Sequence, residues 1–113
     1  MHELSVCQAL IEQLITIVAE NQARSVHHIK VCNGPLSGVD SHFLKQAFTV
    51  ARLGTVAEHA ELSIDREPIQ VRCSVCGQEG GATANSLVCP HCGDWRTEVL
   101  SGDALLLVSV ELS

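Results

Sequence analysis

Two cysteine pairs of the same form, Cys73-Ser74-Val75-Cys76-Gly77 and Cys89-Pro90-His91-Cys92-Gly93, constrain this chain more than any other feature. In each pair, two residues between the thiols let both sulfurs face one ion. The glycine that follows permits the tight turn that aims backbone N–H groups at them. Four thiolates complete a tetrahedral Zn²⁺ site, and the 12 residues from Gly77 to Val88 are enough for a hairpin return. A structural zinc ribbon is the favoured reading. Redox dithiol chemistry would call for a βαβ setting that neither pair has, whereas a rubredoxin-type iron site uses the same ligands and stays open. The stretch from Cys73 to Cys92 is too short to bury a core alone, so its fold depends on metal.

The rest of the chain reads as an α+β unit. Leu4, Cys7, Ile11, Leu14 and Val18 recur at 3-4-3-4 spacing, with Leu10 and Ile15 widening the stripe, which predicts an amphipathic helix over 4–22. Val26 to Cys32 alternates and is rich in β-branched residues, so a strand is expected, with His27 on the face of Ile29 and Val31 and with His28 opposite. Adjacent histidines on opposite faces cannot readily share a metal. The turn-rich Asn33–Gly38 follows. Asp40 or Ser41 then caps a second helix whose buried stripe is Phe43, Leu44, Ala47, Phe48 and Ala51. Leu62 and Ile64 alternate with polar residues in a further strand. The run from Ala104 to Leu112 is the most apolar in the chain and is expected to return to the first unit as a central strand. The expected architecture is α+β: two helices packed on a small mixed β-sheet, with an inserted zinc-ribbon module. Residues 1–72 plus 99–113 would form the larger domain and 73–98 the zinc-binding module.

Charge narrows the partners. The formal net charge is −6, with seven Lys and Arg and 3% aromatic residues, a poor match to the basic, aromatic-bearing face that grips nucleic acid. No apolar run reaches the roughly 20 residues of a membrane span, and no basic-then-apolar leader opens the chain. The expectation is a cytoplasmic protein, where paired thiols stay reduced and bind metal.

The first residues make a second candidate metal site. In Met1-His2-Glu3, the terminal amine and the His2 amide nitrogen close a five-membered ring on a metal, and His2 Nδ1 closes a six-membered one. The Glu3 carboxylate or amide can take the fourth position. Such an N,O set in square or tetragonal geometry suits Ni²⁺ or Cu²⁺ better than Zn²⁺. His2 is bulky, so Met1 is expected to be retained.

Met1-His2-Glu3-Leu4-Ser5 opening a helix, Gly34-Pro35-Leu36-Ser37-Gly38-Val39 after the first strand, Phe43-Leu44-Lys45-Gln46-Ala47-Phe48, Ala60-Glu61-Leu62, and CxxC-x12-CxxC beyond them resemble the HypA/HybF family across essentially the whole chain. The resemblance implies a nickel metallochaperone for maturation of [NiFe]-hydrogenase. It implies that His2 is the essential nickel ligand, assisted by Met1 and Glu3, with Asp40 as an additional oxygen ligand, and that Cys73, Cys76, Cys89 and Cys92 hold zinc. It also implies delivery to the hydrogenase large-subunit precursor and work alongside the hydrogenase-maturation GTPase. Some family members carry histidines just outside the knuckles. Here the position two after Cys76 is Gln78, and the knuckle histidine, His91, lies inside the second pair.

The other candidates have plain structural readings: Cys7 in the core, Cys32 at a strand end, and His42 and His59 at the surface. The chain has no GxxxxGK[ST] loop and no Ser-His-Asp or paired-carboxylate set, so it is not expected to be an enzyme. The competing reading is a zinc-ribbon interaction or adaptor module without nickel delivery. Free strand edges on a small sheet also leave a homodimer open.

Overall fold

The computed structural model describes residues 3–113, which form two helices and two three-stranded sheets. Helix α1 spans Glu3–Glu20, strand β1 Val26–Asn33, helix α2 Ser41–Ala51, β2 Glu61–Arg66, β3 Ile69–Cys73, β4 Glu79–Ala82, β5 Thr97–Ser101 and β6 Leu105–Leu112. The first sheet has the order β2-β1-β6, and β1 pairs parallel with β2 and antiparallel with β6, so it is mixed. The second, β4-β3-β5, is antiparallel throughout. Parallel β1 and β2 cannot be joined by a hairpin; α2 is their crossover.

Helix α1 buries Cys7, Leu10, Ile11, Leu14 and Val18 along one stripe. The start and one flank of the predicted stripe are different. Leu4 and Ile15 lie at the surface, and Glu3 is buried in place of Leu4. The helix stops at a Schellman-type end: Gln22 takes the left-handed conformation at φ 55°, and the Ala23 N–H reaches back to the Val18 carbonyl at 3.0 Å. One core joins the α1 stripe to Val26, Ile29 and Val31 of β1, Leu44 and Phe48 of α2, and Leu62 of β2. Leu14 and Leu44 are fully buried, and truncating either to alanine should cost about 2–5 kcal/mol.

Three further expectations are corrected. Phe43 was placed in the buried stripe of α2, but it is 50% exposed, whereas Phe48 is buried. At the start of β1 the register against β6 slips between Val26 and His28. That bulge turns Val26 onto the core face with Ile29 and leaves His27 exposed, which simple alternation could not anticipate. Finally, β6 is an edge strand and β1 the central one. Leu105, Leu107, Val110 and Leu112 of β6 lean on the core, while Leu106 and Val108 are 46% and 53% exposed on the other face. No helix among the described residues is long and apolar enough to cross a membrane.

The two sheets meet at a crowded junction. The Gly34 N–H bonds to the Ala104 carbonyl at 3.0 Å, the Leu36 N–H to the Gly102 carbonyl at 2.9 Å, and the Glu67 N–H to the Asn33 carbonyl at 3.1 Å. A side chain on Gly34 would stand 2.2 Å from the Gly102 carbonyl, so this backbone approach requires glycine.

Candidate metal centres

The four cysteines converge at the end of the second sheet. Cys73 closes β3, Cys76 ends the turn beyond it, and Cys89 and Cys92 sit in the matching turn before β5. Their sulfurs all lie within 4.8 Å of one another, with Cys73 to Cys92 and Cys76 to Cys89 each at 3.6 Å. Both turns have the same construction. The Cys73 sulfur accepts from the N–H groups of Val75 and Cys76 at 3.3 and 3.4 Å, and the Cys89 sulfur from those of His91 and Cys92 at the same two distances. Gly77 and Gly93 adopt φ 76° and 78°, and their N–H groups close back on the carbonyls of Cys73 and Cys89. The sequence-read role of these glycines thus has a direct geometric counterpart.

Those N–H donors also decide which thiols ionise first. The N–H of Cys92, helped by that of His91, holds Cys89 down to about 6 against the cost of its burial, and Cys73 is lowered in the same way, first by the N–H of Cys76. Cys76 is held up first by burial and then by its hydrogen bonds to the sulfurs of Cys89 and Cys73, and Cys92 first by its hydrogen bond to the Cys73 sulfur and then by burial, despite their own N–H donors from Gln78 and Asp94. Four sulfurs of this spacing, two already biased toward thiolate, fit a structural zinc with no ligand position left open.

His91 does not join the cluster: its Nε2 lies 3.2 Å from the Glu79 carbonyl, and the residue is exposed. His28 is bound to Ser63 Oγ at 2.7 Å, His27, His42 and His59 are exposed, and Cys7 sits in the core with its sulfur 3.5 Å from the Leu44 carbonyl. Burial, with the nearby Glu3 charge, pushes the Cys7 thiol up, as expected of an inert structural cysteine. Cys32 is half-buried.

At the other candidate centre, Met1 and His2 lie outside the described residues. Glu3 is the first residue of α1 and is only 8% exposed. Its Oε2 accepts from the backbone N–H of Asp40 at 3.2 Å. Asp40 in turn caps α2, its Oδ1 accepting from the Phe43 N–H at 3.1 Å. Two residues 37 positions apart in sequence are therefore joined, and the starts of both helices meet at one place. A carboxylate buried beside the first turn of α2 is favoured by the positive end of that helix.

Sequence reasoning passed over Asn33. It is buried at the end of β1, and its Nδ2 donates to the Val39 carbonyl at 2.9 Å and to Ser41 Oγ at 2.8 Å, while its Oδ1 accepts from Ser37 Oγ. An asparagine closing an apolar strand before Gly-Pro was the available signal.

Comparison with known proteins gives the chain a family. A family model described as hydrogenase/urease nickel incorporation, metallochaperone, HypA, matches residues 1–112. The hydrogenase maturation factor HypA of Nitrosospira multiformis is 44% identical over 112 residues, covering 99% of this chain and 97% of that protein. Its counterpart in Aquifex aeolicus is 40% identical over the same length, with the same coverage of both proteins. The solution structure of the Ni metallochaperone HypA from Helicobacter pylori shares the fold at a TM-score of 0.76 and 28% identity, over 99% of this chain and 97% of that one. With a family match running from end to end and relatives this similar, the chain belongs to the HypA family.

Proposed function

We propose that this protein is a nickel metallochaperone that takes Ni²⁺ at its N-terminus and passes it on during hydrogenase maturation. Membership of the HypA family supports the class of function. The observation that supports the location is the Glu3–Asp40 hydrogen bond, which gathers the start of α1 and the cap of α2. In this reading the Met1 amine and His2 supply nitrogen ligands and Glu3 and Asp40 supply oxygen. The Glu3 carboxylate already bonds to the Asp40 N–H, so it can also act by fixing the start of the helix for the chelate. An N,O donor set at a chain end suits Ni²⁺ and leaves an incoming ligand room to displace it.

Cys73, Cys76, Cys89 and Cys92 hold zinc in a separate, closed site that supplies folding free energy. We place the metal-bearing unit at residues 69–101, wider than the 73–98 segment drawn from sequence, because β3 and β5 are part of its sheet. The recipient would be the [NiFe]-hydrogenase large-subunit precursor, and the hydrogenase-maturation GTPase would supply the nucleotide-driven step. The cytoplasm, where both metals are handled with reduced thiols, is the setting.

Nickel calorimetry on untagged protein tests the site. His2→Ala, or extension of the N-terminus by two residues, should abolish specific Ni²⁺ binding and leave zinc bound. Unchanged nickel binding in either variant would overturn the terminal site. Affinity should also fall as pH drops from about 8 through about 6.5, because binding requires a deprotonated amine and a neutral imidazole.

A further inference from the structure

We infer that Asn33 is the positioning residue of the nickel site, acting through the loop that carries Asp40; the inference rests on the terminal site proposed above. The two residues that flank Asp40 are Val39 and Ser41, and one side chain holds both. Asn33 Nδ2 donates to the Val39 carbonyl at 2.9 Å and to Ser41 Oγ at 2.8 Å. Its Oδ1 accepts from Ser37 Oγ, which itself accepts from the Val39 N–H at 3.1 Å. The amide orientation is set by this network, because flipping it would set oxygen against the Val39 carbonyl. Every polar atom of the buried Asn33 side chain is engaged.

With its neighbours pinned on both sides, Asp40 has little freedom. Its N–H is aimed at Glu3 Oε2 and its Oδ1 at the Phe43 N–H. Asn33 is therefore the interior end of a chain of contacts that runs through residues 39 and 41 to Asp40, and from Asp40 to the first turn of α1. The other end is Glu3, next to the proposed ligand His2. Asn33 touches no metal in this scheme. It sets the fraction of molecules in which Glu3 and Asp40 stand ready, and apparent nickel affinity scales with that fraction.

The test uses full-length, untagged, zinc-loaded protein and Ni²⁺ itself as probe. Asn33→Asp keeps the size and the acceptor for Ser37 but places a carboxylate against the Val39 carbonyl and removes both donations. It should weaken nickel binding at least about tenfold, since one buried hydrogen bond left unmade already carries roughly that factor and two are lost here. Zinc stoichiometry should not change, and the Asp40 amide should exchange faster with solvent. Ser41→Ala removes one acceptor at an exposed position and serves if the first variant folds poorly; it should weaken nickel binding by about twofold to fivefold, as loss of a single modest hydrogen bond does. A merely structural Asn33 would lower thermal stability yet leave the nickel affinity of the folded fraction and the Asp40 exchange rate at wild-type values, and that result overturns the inference. His2→Ala run in parallel separates the two ideas. If it leaves nickel binding unchanged, the terminal site is wrong. If it abolishes binding while Asn33→Asp and Ser41→Ala do nothing, the site stands and the positioning role falls.

Discussion

Removing zinc should unfold residues 69–101 and spare the rest of the chain. Within that segment the buried aliphatic side chains are Ile69 and Val71, joined by the ligands Cys73 and Cys89. Two such side chains contribute about 3–6 kcal/mol together. A structural zinc on four thiolates contributes an apparent 10–16 kcal/mol or so near neutral pH, and is the dominant stabilising interaction of the segment. The Arg72–Glu79 and Asp94–Arg96 pairs are too exposed to replace it. The first sheet is in a different position, because its core draws on both helices and all three of its strands. The assay is amide hydrogen exchange before and after chelation, with metal analysis to establish that zinc has gone. Amides of β3 and β5, such as Val71 and Val99, which face each other across the ladder, should lose protection. Those of α1 and β1 should keep it. Protection at Val71 and Val99 that survives in verified zinc-free protein would refute the argument that this small sheet lacks a sufficient core of its own.

Other outcomes follow from single residues. Phe48→Ala should cost about 3–5 kcal/mol in denaturant unfolding, while Phe43→Ala, half-exposed, should cost about 1 kcal/mol or less. Gln22→Gly should raise stability by up to about 1 kcal/mol, because glycine takes the left-handed conformation at the end of α1 without the penalty that a Cβ brings. Arg96 holds the Asp94 carboxyl down to about 2, chiefly through its side-chain hydrogen bonds. A lowered carboxylate stabilises the fold above its ordinary range and loses that contribution as pH falls toward 2. Arg96→Gln should return the Asp94 titration toward ordinary carboxylate values, as read by carboxyl NMR, and unchanged titration would show that the arginine is not its cause.

Much of this fold was legible in the sequence because its strongest signals are local. The knuckles depend on spacing and glycine, and the Asp40 cap on a short polar residue ahead of an apolar stripe. What could not be read depended on context. An apolar run such as Leu105–Leu112 looks the same whether it has neighbours on one side or two, and it proved to be an edge strand. The bulge that turns out His27 is a property of the β1–β6 pair, not of β1. Strand β4, Glu-Gly-Gly-Ala, has almost no strand propensity and exists because β3 supplies its partner groups. At the start of α1, the chelating pattern of the first residues pointed to Glu3 and the family resemblance to Asp40, but the hydrogen bond between them belongs to the tertiary fold, and the network around Asn33 was signalled only by its place at a strand end before Gly-Pro.

The approach of Gly34 to Gly102 leaves no side chain between two stretches of backbone. Elsewhere in a protein a small rotation of one layer against another is absorbed by rotamers, which yield at little cost. A joint made of bare main chain has no such cushion. Tilting the cysteine-bearing sheet would pull directly on the Gly102 carbonyl, and through it on the Leu36 N–H, a few residues upstream of Asp40. A shift of one sheet against the other would therefore have to bend or break these main-chain hydrogen bonds rather than repack side chains around them.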